Sequence, residues 1–495
     1  MSFLGAIRGA FSRAPRSNDA SADEHYDALN PKGRRRSAPA SRVRPEDLTL
    51  TGAKRDRLDQ NALDVWRNMS LLAWMIRRTL DYCCLFDFQP QTTDEGLNKD
   101  LRWLMARDCE ASRIDYVGRY DWDDMRRVAE SLKILTGDMF FVPLSEGTLQ
   151  PIEGSYCRNP KNAPNDATYI NGARLNKRGR VVAWNFRQNL MDPINGYSFV
   201  DKEVPARNVW QHIQYEGRLN QVRGYSPISS ILNEMRDISE TFDHARAKVK
   251  LDQIFGVAIF AEKDDEDDVA TGVDDDGNEV PEENVERYDF GGGPVVMNRT
   301  VGEDVKMLTA NNPGQNTQEF LKLCIQMGLK ALDLPYNFFD EAHTNFFGSR
   351  AAWNLYDRSC APRRQTQLRL HKRLTEWRLF DWTLPVDMGG TGEIVLPRSM
   401  TMDDVVYRWV PRGLPWWKPE EELSTNIMAA AVGLKTWQGV CDENNLGIYE
   451  ENVAALARER DQVAKYGYVM ELNPAKLMAA LRAPTAKPLT GGQAV

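Results

Sequence analysis

Asp121, Asp123 and Asp124 stand close enough in the sequence to share a divalent cation. The same spacing also suits the first turn of a helix, where carboxylates complement the helix dipole, and the amphipathic stretch that follows favours that use. A second acidic group, Asp274, Asp276 and Glu283 with Gly277 between them, matches positions 3, 5, 12 and 6 of an EF-hand loop. Position 1 would be Gly272, which has no ligand, and Pro281 falls where the second helix should begin, so a solvated acidic loop is the better reading. The five histidines, His25, His212, His244, His343 and His371, are dispersed, and none forms HExxH. Seven cysteines (Cys83, Cys84, Cys109, Cys157, Cys324, Cys360 and Cys441) lack metal-binding spacing and read as reduced core thiols. There is no GxxxxGK[ST] phosphate loop, no GxGxxG after a strand and no GxSxG elbow. No catalytic residue, cofactor or metal site is therefore expected.

The chemistry that remains is that of surfaces. The chain carries a net charge of −8 over 495 residues, with 42% hydrophobic and 27% charged residues. Tight nucleic-acid binders usually carry a basic surplus, so a sequence-specific DNA binder is disfavoured, whereas a surface that DNA slides past is not. Residues 1–55 are rich in Ser, Ala, Pro and Arg, with Arg34-Arg35-Arg36 in the middle. They read as a mobile basic arm, either an electrostatic contact for DNA or an acidic partner, or a solvated tail. Arg8 and Arg13 interrupt the apolar start, which argues against a signal peptide and for assembly in the cytoplasm. Between Glu262 and Glu286 there are 13 acidic residues and one Lys, which reads as an exposed appendage.

The elements that must position these surfaces follow from periodicity. Leu63, Trp66, Met69, Leu72, Ala73, Ile76 and Leu80 give one helical face over 61–86. Met125, Val128, Ala129, Leu132 and Leu135 give another over 122–135. Gly137-Asp138 ends it, and 139–143 reads as a strand, as do 181–186 and 209–215. Ser226 and Pro227 open a long helix to Leu251, with Ile228, Ile231, Leu232, Met235, Ile238 and Phe242 on one face and a basic far end at Arg246, Lys248 and Lys250. Strands over 255–260 and 295–297 flank the acidic block. Further helices run over 318–332, 350–382 (bent by Pro362), 420–431 and 448–466. An aromatic loop, 337–349, carries Phe338, Phe339, Phe346 and Phe347. The fold class is α+β.

Five segments in this order resemble the lambda-type portal proteins of tailed bacteriophages. They are Trp66–Thr79 (WRNMSLLAWMIRRT), Tyr120–Phe141 with its helix then Gly-Asp strand, Arg218–Leu232 (RLNQVRGYSPISSIL), Ala331–Arg350 (ALDLPYNFFDEAHTNFFGSR), and Trp409–Pro419 followed by Gly433–Thr436. Phe347-Gly348 stand where the family usually has Tyr-Ser. The resemblance implies a ring, usually of twelve subunits, at one capsid vertex. It implies a wing (56–224), a two-helix stem (225–254 and 317–334), a clip (255–316), a tunnel loop (335–349), a kinked channel helix returning to the wing (350–408), a helical crown (409–471) and a flexible tail (472–495).

On that basis the tunnel-loop residues are Thr344, Asn345, Phe346, Phe347, Gly348, Ser349 and Arg350, with Phe338 and Phe339 packed near Trp353. The rival reading is a plain core loop within the subunit. Arg246 and Lys250 share a face that lines the channel, or else faces solvent or an intersubunit ion pair. The clip contact comprises Asp264, Asp265, Glu266, Asp267, Asp268, Asp274, Asp275, Asp276, Glu282 and Glu283. The implied partners are duplex DNA passing without sequence readout, the terminase large subunit, the major capsid or scaffold protein, a head-completion or connector protein, and copies of the chain itself, with no membrane. The alternatives are another capsid assembly component or a metal-dependent nuclease.

Overall fold

The structure is a computed structural model. It describes residues 45–161, 168–192, 196–215, 219, 221–254, 258–261, 271–273, 279–281, 303–306, 315–340, 346–413, 416, 418–468 and 470. The principal helices are α1 (Gly52–Asn68), α2 (Ser70–Cys83), α3 (Glu95–Asp108), α4 (Trp122–Thr136), α5 (Leu232–Ile254), α6 (Gln315–Leu329), α7 (Phe346–Thr383), α8 (Pro419–Ala431), α9 (Trp437–Glu443) and α10 (Tyr449–Lys465). The strands of the α+β body are β1 (Phe86–Pro90), β2 (Asp138–Pro143), β3 (Leu149–Glu153), β4 (Tyr169–Ile170), β5 (Ala173–Leu175), β6 (Val181–Asp192), β7 (Gly196–Pro205), β8 (Trp210–Ile213) and β13 (Tyr407–Pro411). Among the described residues between α5 and α6 lie four short strands: β9 (Ala258–Ala261), β10 (Thr271–Val273), β11 (Glu279–Pro281) and β12 (Glu303–Lys306).

The sheets are antiparallel. Their orders are β3-β2-β8, β4-β5-β6-β7 and the pair β1-β13, with Phe88 opposite Trp409. β9 pairs with β12, so the chain entering the insertion lies beside the chain leaving it. Within the insertion β10 and β11 form a hairpin, Gly272 opposite Val280. A strand thus occupies the place where an EF-hand would start its second helix. The expected strand at 295–297 lies outside the described residues.

Among the described residues, three apolar clusters hold the fold. One joins α1, α2, α5 and α6 with the middle of α7, a second joins α3, α4, β2, β8, β13 and the end of α7, and a third fills the space between β2 and β6. In α2 the buried residues are Leu72, Met75, Ile76, Thr79, Leu80 and Cys83, the three-and-four spacing of one face. The single helix expected over 61–86 is instead broken at Met69, which is extended, and Phe86 opens a strand. The arm expected to reach residue 55 ends earlier. Glu46–Thr49 is a helical turn, α1 starts at Gly52, and Asp47 and Arg55 are buried.

The two motif segments with Gly-Asp and Arg-Gly meet in the interior. Arg223 is buried and binds Asp138 at both carboxylate oxygens, at 2.5 and 2.8 Å. It also donates to the carbonyls of Cys157 (2.8 Å), Asn171 (2.6 Å) and Gly154 (2.7 Å). Burial pushes the Asp138 carboxyl up, but the Arg223 guanidinium outweighs it and holds Asp138 below the usual carboxylate range. Gly137 closes α4 in the left-handed region (φ 94°), and a Cβ on Gly224 would overlap the Gly137 carbonyl. Only glycines allow the two segments to cross here.

Candidate functional site

Leu232 to Ile238 of α5 pack against α6, with Met235, Ile238, Ile325 and Leu329 in one cluster. At Gly328 a Cβ would meet the tip of the Met235 side chain. These helices lead into and out of the acidic insertion. The buried side of α6 is Leu321, Ile325 and Leu329, whereas Phe320, Leu323 and Met327 repeat at three and four on its other side and are more than half exposed. Phe242 of α5, expected on the buried face, is also exposed.

After α6 the chain turns at Asp333 (φ 59°) and enters a short 3-10 turn, Tyr336–Phe338. Phe338 stacks on Tyr82 (5.8 Å, 22°) and meets Tyr356 edge-on (5.3 Å), one turn past Trp353 on α7. Phe339 lies edge-on to Trp74 at 6.2 Å and beside Tyr336 at 5.8 Å. Both rings therefore rest on α2, and Phe338 also rests on α7. The tip differs from the expected loop: α7 begins at Phe346, so Phe346, Phe347, Gly348, Ser349 and Arg350 form its first helical turns. Thr344 and Asn345 lie outside the described residues. Arg350 pairs with Glu422 of α8 at 2.8 Å, which joins the start of α7 to the C-terminal helices. Pro362 sits inside a helix continuous over 38 residues.

Arg246 and Lys250 are on the exposed side of α5, and Arg246 is 3.5 Å from Asp243 with both side chains largely in solvent. The acidic residues Asp264, Asp265, Glu266, Asp267, Asp268, Asp274, Asp275, Asp276, Glu282 and Glu283 lie outside the described residues. Asp121 is the N-cap of α4, its carboxylate accepting from the Asp124 backbone N–H at 2.7 Å, and Asp123 pairs with Arg126 at 2.8 Å. That trio is committed to the helix end.

A polar cluster that the sequence reading missed fixes α7 against the sheet. Glu130 and Lys133 of α4 are fully buried and pair at 2.7 Å. Gln367 of α7 donates to Glu130 at 2.7 Å, and Lys133 donates to Thr366 at 2.6 Å. Burial raises the Glu130 carboxyl, but Lys133 and the His212 hydrogen bond outweigh it and hold it well below the usual range. Burial, reinforced by Lys133, lowers His212 to about 4, so near neutral pH its 2.8 Å contact with Glu130 is a hydrogen bond. His371 of α7 accepts from Trp122 at 3.0 Å and stacks on Trp409 at 4.0 Å. Among the described residues no group of His, Cys, Asp and Glu is arranged to hold a metal, and no helix is long and apolar enough to cross a membrane.

Comparison with known proteins gives three results. No curated protein matches the chain. Among solved structures, the chain is similar to the neck of an empty gene transfer agent particle computed with C6 symmetry. The match has 12% identity over 76% of this chain and 90% of that one, with a TM-score of 0.43. It is also similar to the neck of a native gene transfer agent particle computed with C12 symmetry, at 13% identity over 80% and 94%, with a TM-score of 0.41. The family described as phage portal protein, lambda family, a structural rather than enzymatic family, matches residues 32–364. That span takes in α1 to α7 up to Pro362, the crossing of the Gly-Asp and Arg-Gly segments, the paired helices around the acidic insertion and the aromatic turn, and the chain belongs to the lambda family of phage portal proteins.

Proposed function

We propose that this portal subunit closes with copies of itself, twelve in the manner of its family, into a ring at one capsid vertex. Duplex DNA enters and leaves through that ring. The observation that carries the reading is the pairing of α5 with α6 on either side of the acidic insertion, which suits a stem above a clip. The body of 56–224 serves as the wing, α7 as the channel helix, and α8 to α10 as the crown. Phe320, Leu323 and Met327 fit a neighbouring stem, since exposed apolar side chains at helical spacing are stabilised by a partner surface. Arg246 and Lys250 face the channel in this arrangement, and the tunnel-loop residues from Phe346 to Arg350 line its narrowest part. The acidic insertion meets basic surfaces of the terminase large subunit during packaging and of a head-completion or connector protein afterwards. The wing meets the major capsid or scaffold protein, and assembly takes place in the host cytoplasm.

The test is replacement of Phe346 and Phe347 by Ser in packaging-competent particles. If the start of α7 lines the channel, rings still form while packaged DNA is lost or never retained. If the segment is core within the subunit, ring assembly itself collapses and the channel role is wrong.

A further inference from the structure

A groove of about 940 Å³ opens on the wing between the turn after β2, the start of β6, the segment leading into β8, and α7. Its walls include Leu144, Val182, Val209 and Trp377, and Trp210 and Trp377 meet edge to face at 5.7 Å. A second groove of about 380 Å³ continues along α7 and shares Arg373 and Glu376 with the first. Together they are lined by five basic side chains, Arg180, Arg207, Arg369, Lys372 and Arg373, against one carboxylate, Glu376. Glu376 is already approached by Lys372 at 3.7 Å. All five basic residues are exposed, and Arg180 and Arg207 form no ion pair among the described residues. Arg373 donates to the Val209 carbonyl at 3.2 Å, which fixes it at the rim, and Arg369 lies over the Tyr215 ring at 5.8 Å. A concentrated positive rim on a chain of net charge −8 is a local feature and not a consequence of composition.

We infer that this groove docks an acidic polypeptide segment of a partner protein, its carboxylates on the arginine rim and an aliphatic or aromatic side chain against the Val182 and Trp377 wall. A nucleic acid would satisfy the rim and leave the wall uncovered. The indoles are not a base-stacking platform, because they pack edge to face and Arg378 lies over Trp377 at 4.5 Å. An apolar floor with a charged rim is the arrangement that gives a peptide both anchor and register. The inference stands whether or not the chain closes into a ring.

The experiment uses the full chain and fluorescence anisotropy with labelled probes: a short glutamate-rich peptide carrying two leucines, the same peptide with serines for the leucines, and single-stranded and duplex oligonucleotides. The leucine peptide should bind saturably and weaken on the order of tenfold as salt shortens the Debye length from about 10 Å to about 3 Å. The serine peptide should bind on the order of tenfold more weakly, the loss of two buried anchors. Arg180→Glu with Arg207→Glu should weaken the leucine peptide by about tenfold or more, with the melting temperature unchanged because neither side chain is ion-paired among the described residues. Equal binding of the serine peptide, equal or tighter binding of an oligonucleotide, or unchanged binding by the double variant overturns the inference.

Discussion

Replacing Arg223 by Met tests whether the crossing of the Gly-Asp and Arg-Gly segments organises the α+β body. The substitution removes two contacts to a fully buried carboxylate and three donations to the carbonyls of Cys157, Asn171 and Gly154. Breaking a buried ion pair from one side costs about 3–5 kcal/mol, because the remaining charge is stranded. Each orphaned carbonyl adds about 1 kcal/mol or more. Arg55 is one of the charges that hold Asp138 down, and it offsets part of the loss. A net destabilisation of about 5 kcal/mol follows, against a typical total of about 5–15 kcal/mol. For a cooperative unit of about 170 residues, the extent of 56–224, calorimetry should show a fall of about 10–20 °C in melting temperature. Changing both partners, Arg223→Met with Asp138→Leu, should cost less than either single change, since no charge is left unpaired. A single-variant shift below about 3 °C, or a double variant that melts lower than both singles, would refute the argument.

Gly224→Ala should be as damaging as the loss of Arg223, because its Cβ overlaps the Gly137 carbonyl backbone, and a melting curve reads this directly. Phe338→Ala should cost about 2–4 kcal/mol by removing the ring between Tyr82 and Tyr356, measured by the same melt. Two buried groups should give opposite slopes with pH. His212 is lowered to about 4, so its contribution is present above its ordinary value and is lost as pH falls from about 6.5 to about 4. Asp59 is raised to about 7, chiefly by burial, so its contribution is present below its ordinary value and is lost as pH rises from about 4 to about 7. Relative to the unsubstituted chain, His212→Gln should therefore lose less stability on acidification across that window and Asp59→Asn should lose more, with His371, also lowered by burial, present in both; slopes that change in the same direction in both variants would contradict the assignments. Deleting 264–283 should leave rings intact and reduce particle yield, counted by electron microscopy and infectivity.

Much of the helical framework was legible in the sequence because apolar spacing and end signals agree. Asp121 and Gly137 bracket α4, Pro227 opens the turn before α5, and Met75, Ile76 and Leu80 mark the buried side of α2. The face of α4 was read less well. Val128 is exposed, whereas Arg126, Glu130 and Lys133 are inside. Each charge is neutralised locally, Glu130 by Lys133 and Arg126 by Asp123, a pairing that looks the same on a solvent-facing helix; the neutral partners that accompany their burial, His212, Thr366 and Gln367, come from distant parts of the chain, and no local pattern reveals them. The break at Met69 escaped for a related reason, since the apolar repeat runs through it and only tertiary packing requires the change of direction. At the start of α7 the Phe-Phe-Gly-Ser sequence resembles a turn, yet the backbone is helical from Phe346. Helix propensity of a few residues is a weak term that a long following helix overrides. The basic groove was not legible at all, because it collects residues from β6, the approach to β8, and α7.

Electron microscopy of the purified full-length chain is the most direct test of the portal reading. The account predicts closed rings with a central hole wide enough for duplex DNA, with the stem helices lining the passage. A population of single subunits or open filaments, at concentrations where the chain is folded, would contradict it.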